Sequence, residues 1–104
     1  MAEFDISIEE TAESDLRGIV RYIAETLKEP LAANRIYSSV KKQISTLCHM
    51  PCRYPLVKDE KFAARGLRMM PTENYLVFYV ANEAKNEVDV LRVIYNRREW
   101  QNLL

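Results

Sequence analysis

Phe4, Ile6 and Ile8 alternate with Asp5, Ser7 and Glu9 at the start of the chain, the period-two pattern of a half-buried strand. The period then lengthens. Leu16, Ile19, Val20, Ile23 and Leu27 form one apolar stripe, which predicts an amphipathic helix. Thr11 offers an N-cap oxygen, and Glu13 and Asp15 place negative charge where the helix dipole favours it. Pro30 suits the first position of a second helix, because its missing N–H would be unpaired there in any case. Ala33, Ile36, Val40, Ile44 and Leu47 carry that helix's stripe, with Arg35, Lys41 and Lys42 expected mainly toward solvent and Pro51 as the stop. So short a connection predicts an antiparallel helical hairpin.

Residues 51–64 (PCRYPLVKDEKFAA) read as a loop broken by Pro51 and Pro55. Three strands are predicted after it, over 65–70, 74–81 and 87–95, joined by turns short enough for an antiparallel meander. The closing NRREWQNLL is too short to stand as an isolated helix. The predicted fold is α+β, in the order β-α-α-β-β-β plus a C-terminal tail. A two-helix hairpin packs on one face of a small, antiparallel-rich sheet. Leu76, Phe78 and Val80 are assigned to the helix-packed face, and Tyr75, Val77 and Tyr79 to the open face, where tyrosine hydroxyls can stay wet.

The length of 104 residues predicts a single domain over 1–104. No apolar run is long enough to span a bilayer, and the acidic start differs from a secretory signal, so the cytoplasm is the expected location. The net charge is zero, which argues against a protein that simply coats nucleic acid. Its distribution is uneven. Residues 1–30 carry eight acids against three bases, and residues 31–80 eight bases against three acids, a dipolar surface suited to steering an anionic partner.

Few motifs carry chemistry. Cys48, His49 and Cys52 invite a zinc reading, but a fourth ligand is missing nearby and neighbouring residues on a helix end point different ways. No metal and no cofactor are expected, and two thiols in a reducing compartment need not be bonded. His49, the one histidine, suits a helix C-terminus better than a general base. Tyr22 and Tyr37 are read as helix packing. There is no glycine-rich phosphate loop or nucleophile elbow.

The string ESDLRGIVRYIAE, the Pro-started helix, RGLR, NYLVFYV and VLRVIYNRREW together resemble the RelE/ParE toxins almost end to end. The most specific segments are the YLVFY-type strand and the LRVxYxRR strand followed by acid and tryptophan. The resemblance implies a sheet with a helical hairpin, and membership of a type II toxin–antitoxin pair of the plasmid-stabilisation kind. It also implies a cognate antitoxin whose disordered segment folds onto the toxin. Trp100, Leu103 and Leu104 are the expected antitoxin contacts, or alternatively a core closure or a homodimer contact.

The resemblance implies two modes of action. RelE-like members cut messenger RNA in the ribosome, whereas ParE-like members poison DNA gyrase without a known need for a nuclease site. RNA cleavage requires 2′-hydroxyl deprotonation and stabilisation of charge on the phosphate. Under that reading Arg68, Arg92, Arg97, Tyr75 and Tyr95 are the catalytic candidates. The resemblance places a basic residue at the head of the YLVFY strand in the nucleases, and here Tyr75 stands there. A neutral phenol does not replace a guanidinium's charge, and the tail is ParE-like, so the gyrase poison is favoured. Arg65, Arg97, Arg98, Lys58 and Lys61 are then the candidate target contacts. Arg92, inside an apolar strand, needs a partner in either case, and Asp89 and Glu99 are the expected acids.

Overall fold

A computed structural model describes residues 3–96 and 100–104. Strand β1 (Asp5–Ile8) leads into helix α1 (Glu10–Arg21), which loosens into a π-helical turn (Tyr22–Thr26) before α2 (Pro30–Ser45). The chain then passes through 3₁₀ turns at Thr46–Cys48 and Pro51–Arg53 and a short helix α3 (Glu60–Ala63). Strands β2 (Leu67–Thr72), β3 (Tyr75–Asn82) and β4 (Glu87–Tyr95) follow, and a 3₁₀ turn (Trp100–Leu103) ends the described chain. The fold is α+β in the expected order, with the sheet mixed. Its strand order is β1-β4-β3-β2, with β1 parallel to β4 and the other pairs antiparallel. No helix among the described residues is long and apolar enough to cross a membrane.

Pro30 stands at the start of α2 as its missing donor predicts. Thr11 does not cap α1. Glu9 holds the cap position without a side-chain bond, and the Thr11 hydroxyl instead donates to the Leu91 carbonyl at 2.8 Å. The segment read as plain loop is more structured than expected. Asp59 accepts from the Lys61 and Phe62 amides and so caps α3, while Leu56 forms a bridge to Arg68.

The two faces of the sheet are the reverse of the assignment made from β3. The helical hairpin packs Ala12, Leu16, Val40, Ile44 and Leu47 against Val77, Tyr79, Val88, Val90 and Val93. Leu76 and Phe78 point the other way, into a second cluster with Val57, Leu67 and Ile94 that is covered by Phe62, Trp100 and Leu103. Both parities of β3 are apolar because both of its faces are buried, so alternation alone carries no sign. A bulge adds to the concealment. Phe78 pairs with Arg92 but Tyr79 with Val90, so Leu91 is an extra residue in β4, and side-chain parity changes past it.

Candidate functional site

Strand β1 covers β4 only as far as Val90. Beyond it, one edge of β4 has no strand neighbour among the described residues, a state that proteins normally cover or blunt. The first turns of α1 take up that role. The Glu9 amide donates to the Val90 carbonyl at 2.9 Å, Thr11 to Leu91, and the Val93 amide to the Asp15 carboxylate at 2.9 Å. Asp15 also accepts two bonds from the Arg92 guanidinium, at 2.7 and 3.0 Å. Arg92 completes its set by donating to the Leu103 carbonyl, which ties the tail to the sheet. The hydrogen bonds it donates to Asp15, above all, push the Arg92 pKa further up, so its charge is permanent.

A groove of about 920 Å³ opens between this edge and the helical hairpin. Ile19, Tyr22, Ile23, Leu27 and Ile36 form one wall, Tyr75, Val93 and Tyr95 the other, and Leu103 lies at one end. Tyr22, Leu27 and Tyr95 are each more than half exposed, an apolar surface of the sort that marks an interaction site. Tyr22 is therefore not the packing residue the helical pattern suggested. The π-helical turn carries it outward, and the Leu27 and Glu29 amides close that turn by donating hydrogen bonds to the Tyr22 and Ile23 carbonyls. Lys28 then reverses the chain at φ 56°. Tyr37 packs beneath the Lys41 ammonium instead, 5.5 Å from the ring centre.

Tyr75 and Tyr95 meet edge to face across β3 and β4, 5.8 Å between ring centres. Burial, then the neighbouring Tyr95 and Glu73, push the Tyr75 hydroxyl up from its ordinary value. It is a neutral phenol near pH 7, a hydrogen-bond donor and no base.

The two described arginines proposed for catalysis, Arg68 and Arg92, do not gather. Arg68 pairs with Tyr79 and Arg92 with Phe78, neighbours whose side chains enter opposite cores. Arg68 spends its guanidinium on the Cys52 and Tyr54 carbonyls, fixing the loop before α3. Arg92 is paired with Asp15 rather than with Asp89. Tyr75 and Tyr95 come together, but with neither arginine donating to them. Arg97, Arg98 and Glu99 lie outside the described residues. Lys58, Lys61 and Arg65 are exposed on and around α3. Trp100 is half-buried against Phe62 and Phe78, with ring centres 6.0 and 4.9 Å away, and so closes the second core. Leu103 borders the groove, and Leu104 is exposed.

The profile of the family described as the ParE toxin of the type II toxin–antitoxin system, parDE, matches residues 6–100. The chain belongs to that family, within the RelE/ParE superfamily, and is a toxin of the type II toxin–antitoxin class. Among solved structures it is similar to a chain of the chromosomal ParDE toxin–antitoxin system from P. aeruginosa. That likeness has a TM-score of 0.74 at 16% identity, over 91% of this chain and 98% of the other. It is also similar to a chain of the RelBE2 toxin–antitoxin complex from Mycobacterium tuberculosis, with a TM-score of 0.67 at 21% identity, over 91% of this chain and 100% of the other. No curated protein matches the chain in sequence. At such identities the two structures speak for the fold, and the family profile for the class.

Proposed function

We propose that residues 1–104 act as one cytoplasmic toxin domain that poisons DNA gyrase without catalysis and is neutralised by a cognate antitoxin. The observation that carries this reading is the engagement of the two described strand arginines. Each is consumed by structural bonds, on strand positions that lead into opposite cores, so they supply no common cradle for a scissile phosphate. The neutral phenol of Tyr75 at the head of β3 supports the same conclusion. Target contact falls to the exposed basic set of Lys58, Lys61 and Arg65, with Arg97 and Arg98.

The antitoxin segment fits the apolar groove along the free edge of β4. There an extended stretch finds backbone beyond Val93, and a helical stretch finds Ile19, Tyr22 and Leu27. Leu103 borders this groove and the exposed Leu104 follows it, while Trp100 acts from beneath by holding the tail in place. Leu27→Lys combined with Tyr95→Lys puts two charges into the contact and is expected to weaken antitoxin binding by at least about a hundredfold, at roughly 1.4 kcal/mol per decade.

Purified gyrase and a reconstituted translation system test the mode of action together. The expected outcome is accumulation of cleaved plasmid with gyrase, and intact transcripts in ribosomes with an occupied A site. Codon-specific transcript cleavage with unimpaired gyrase overturns the proposal in favour of the RelE-like nuclease.

A further inference from the structure

Cys48 closes the 3₁₀ turn after α2, and His49 then leaves the helical path with φ −116° and ψ 128°. Neighbours on a continuous helix diverge by about 100°, which argued against joint ligation by these two residues. The break between them removes that obstacle. The start of β1 is fastened to the same turn by the Phe4 amide, which donates to the Cys48 carbonyl at 2.9 Å. Glu3 is thereby delivered to the two side chains. One carboxylate oxygen of Glu3, the Cys48 sulfur and one imidazole nitrogen of His49 all lie within 4.8 Å of one another. The Glu3 Oε1 to His49 Nε2 separation is 3.4 Å.

We propose that Glu3, Cys48 and His49 form a three-ligand site for a zinc-class divalent cation. Metal–ligand bonds of about 2.0–2.3 Å in a tetrahedron place the donor atoms roughly 3.3–3.7 Å apart. The Glu3–His49 pair already stands at that spacing, and the wider separations in the set close by rotation of exposed side chains. One thiolate, one imidazole and one carboxylate select a borderline metal such as Zn²⁺ over Mg²⁺ or Ca²⁺, which take oxygen. Three protein ligands on an exposed surface leave the fourth position to water. Cys52 is not part of the set, since its thiol approaches Glu83 at 3.6 Å. The bound ion would clip the entrance of β1, a four-residue strand, to the far end of the helical hairpin. The expectation that no metal is bound rested on the lack of a further ligand near Cys48, His49 and Cys52 in sequence, and Glu3 is a ligand supplied from outside that stretch. It lies 45 residues before Cys48.

Titration of the full reduced chain with Co²⁺, followed by absorption, tests the site. The wild type is expected to show thiolate-to-cobalt charge transfer in the near ultraviolet and visible bands of tetrahedral cobalt, both removed by Zn²⁺. Cys48→Ser abolishes the charge transfer. Glu3→Gln and His49→Gln weaken binding by roughly tenfold or more, at least the loss known for outer-shell partners. Cys52→Ser leaves the spectrum intact. Zinc also raises the melting temperature of the wild type and not that of Cys48→Ser. All four positions are exposed or half-buried, and far-ultraviolet circular dichroism confirms that each variant is folded. Absence of the charge-transfer band in the reduced wild type overturns the proposal. So does its persistence in Cys48→Ser, its loss in Cys52→Ser, or wild-type affinity in Glu3→Gln or His49→Gln.

Discussion

The two faces of the sheet are closed by very different means. On one, a twelve-residue and a sixteen-residue helix bury a continuous aliphatic layer against β3 and β4. On the other, a four-residue helix and a four-residue 3₁₀ turn cover Leu67, Leu76, Phe78 and Ile94. Elements that short have no stability of their own. They persist because Asp59 caps one, and because Trp100 lies on Phe78 while Arg92 holds the Leu103 carbonyl. The first face is held by area and the second by a few specific contacts. A partner that binds along the free edge of β4 meets the tail of the weaker face at Leu103, so the two faces also differ in how readily binding disturbs them.

Truncation on each face tests that difference most strongly. Leu47 is fully buried under the hairpin, and Leu47→Ala is expected to cost about 2–5 kcal/mol by lost transfer energy and a residual cavity. Trp100 is half-buried, and Trp100→Ala is expected to cost less, about 1–2 kcal/mol, since its site collapses into solvent rather than leaving a void. Urea denaturation gives both values. Equal losses would break the distinction between an area-held and a contact-held face.

Asp15 joins the two faces, and its loss is expected to rank between those two truncations. Asp15→Ala frees the Val93 amide and the Arg92 guanidinium, whose side chains (18% exposed for Asp15, 28% for Arg92) retain some water. The cost is about 2–3 kcal/mol, below that of breaking a fully buried pair. Arg92→Met added to Asp15→Ala should restore part of it, because no charge is then left unpaired. A double mutant no more stable than Asp15→Ala would show that the Val93 amide, not the arginine, dominates.

The elements were legible in the sequence because their periods are clean: alternation in β1, a single stripe on each helix, Pro30 at a helix start. What stayed hidden depends on contacts between distant residues. Tyr75 to Val80 is apolar at both parities, so which side faces the helices is decided by what covers each side, and the bulge at Leu91 keeps the pattern of β4 from revealing it. Asp15 reads locally as a first-turn acid suited to the helix dipole. Its bond to Arg92, 77 residues away, follows only from the placement of α1 against the edge of β4. Arg92 was recognisable as a residue in need of a partner, but Asp15, the acid that meets it, is far from it in sequence, while the nearby Asp89 does not pair with it. The groove had a faint signal in Tyr22 and Leu27, apolar residues that the π-helical turn swings off the packed stripe.

Tyr79 offers a smaller and more selective probe of the helix-packed face. Its ring is fully buried and its hydroxyl donates to the Pro51 carbonyl. Burial, only partly opposed by Arg68 and Arg53, pushes its pKa up to about 12 from 10. A folded value above the unfolded one means that the stabilisation is complete below pH 10 and is lost as the pH rises toward 12. The wild type should therefore lose stability over that interval more steeply than Tyr79→Phe. The variant itself should be about 1 kcal/mol less stable at neutral pH, for the lost hydrogen bond. Parallel stability curves for the two proteins between pH 9 and 12 would exclude Tyr79 as the source.

The smallest effect is expected where the hairpin touches the sheet only through solvent-facing charge. Arg35, read from the helical pattern as solvated, donates at 2.7 Å to Glu73 in the β2–β3 turn, with its own side chain 64% exposed. Glu73 adopts φ 54°, a left-handed conformation that costs a non-glycine residue roughly 1 kcal/mol. The ion pair offsets part of that cost, yet an exposed pair contributes only about 0–1 kcal/mol and fades with salt. Arg35→Ala should fall within that range, and its effect should vanish in about 1 M NaCl. Glu73→Gly should compensate by relieving the backbone, and leave stability nearly unchanged or slightly higher. A salt-independent loss above about 2 kcal/mol for Arg35→Ala would mean that the turn, and with it the Tyr75 end of the groove, is held by the hairpin far more firmly than an exposed ion pair permits.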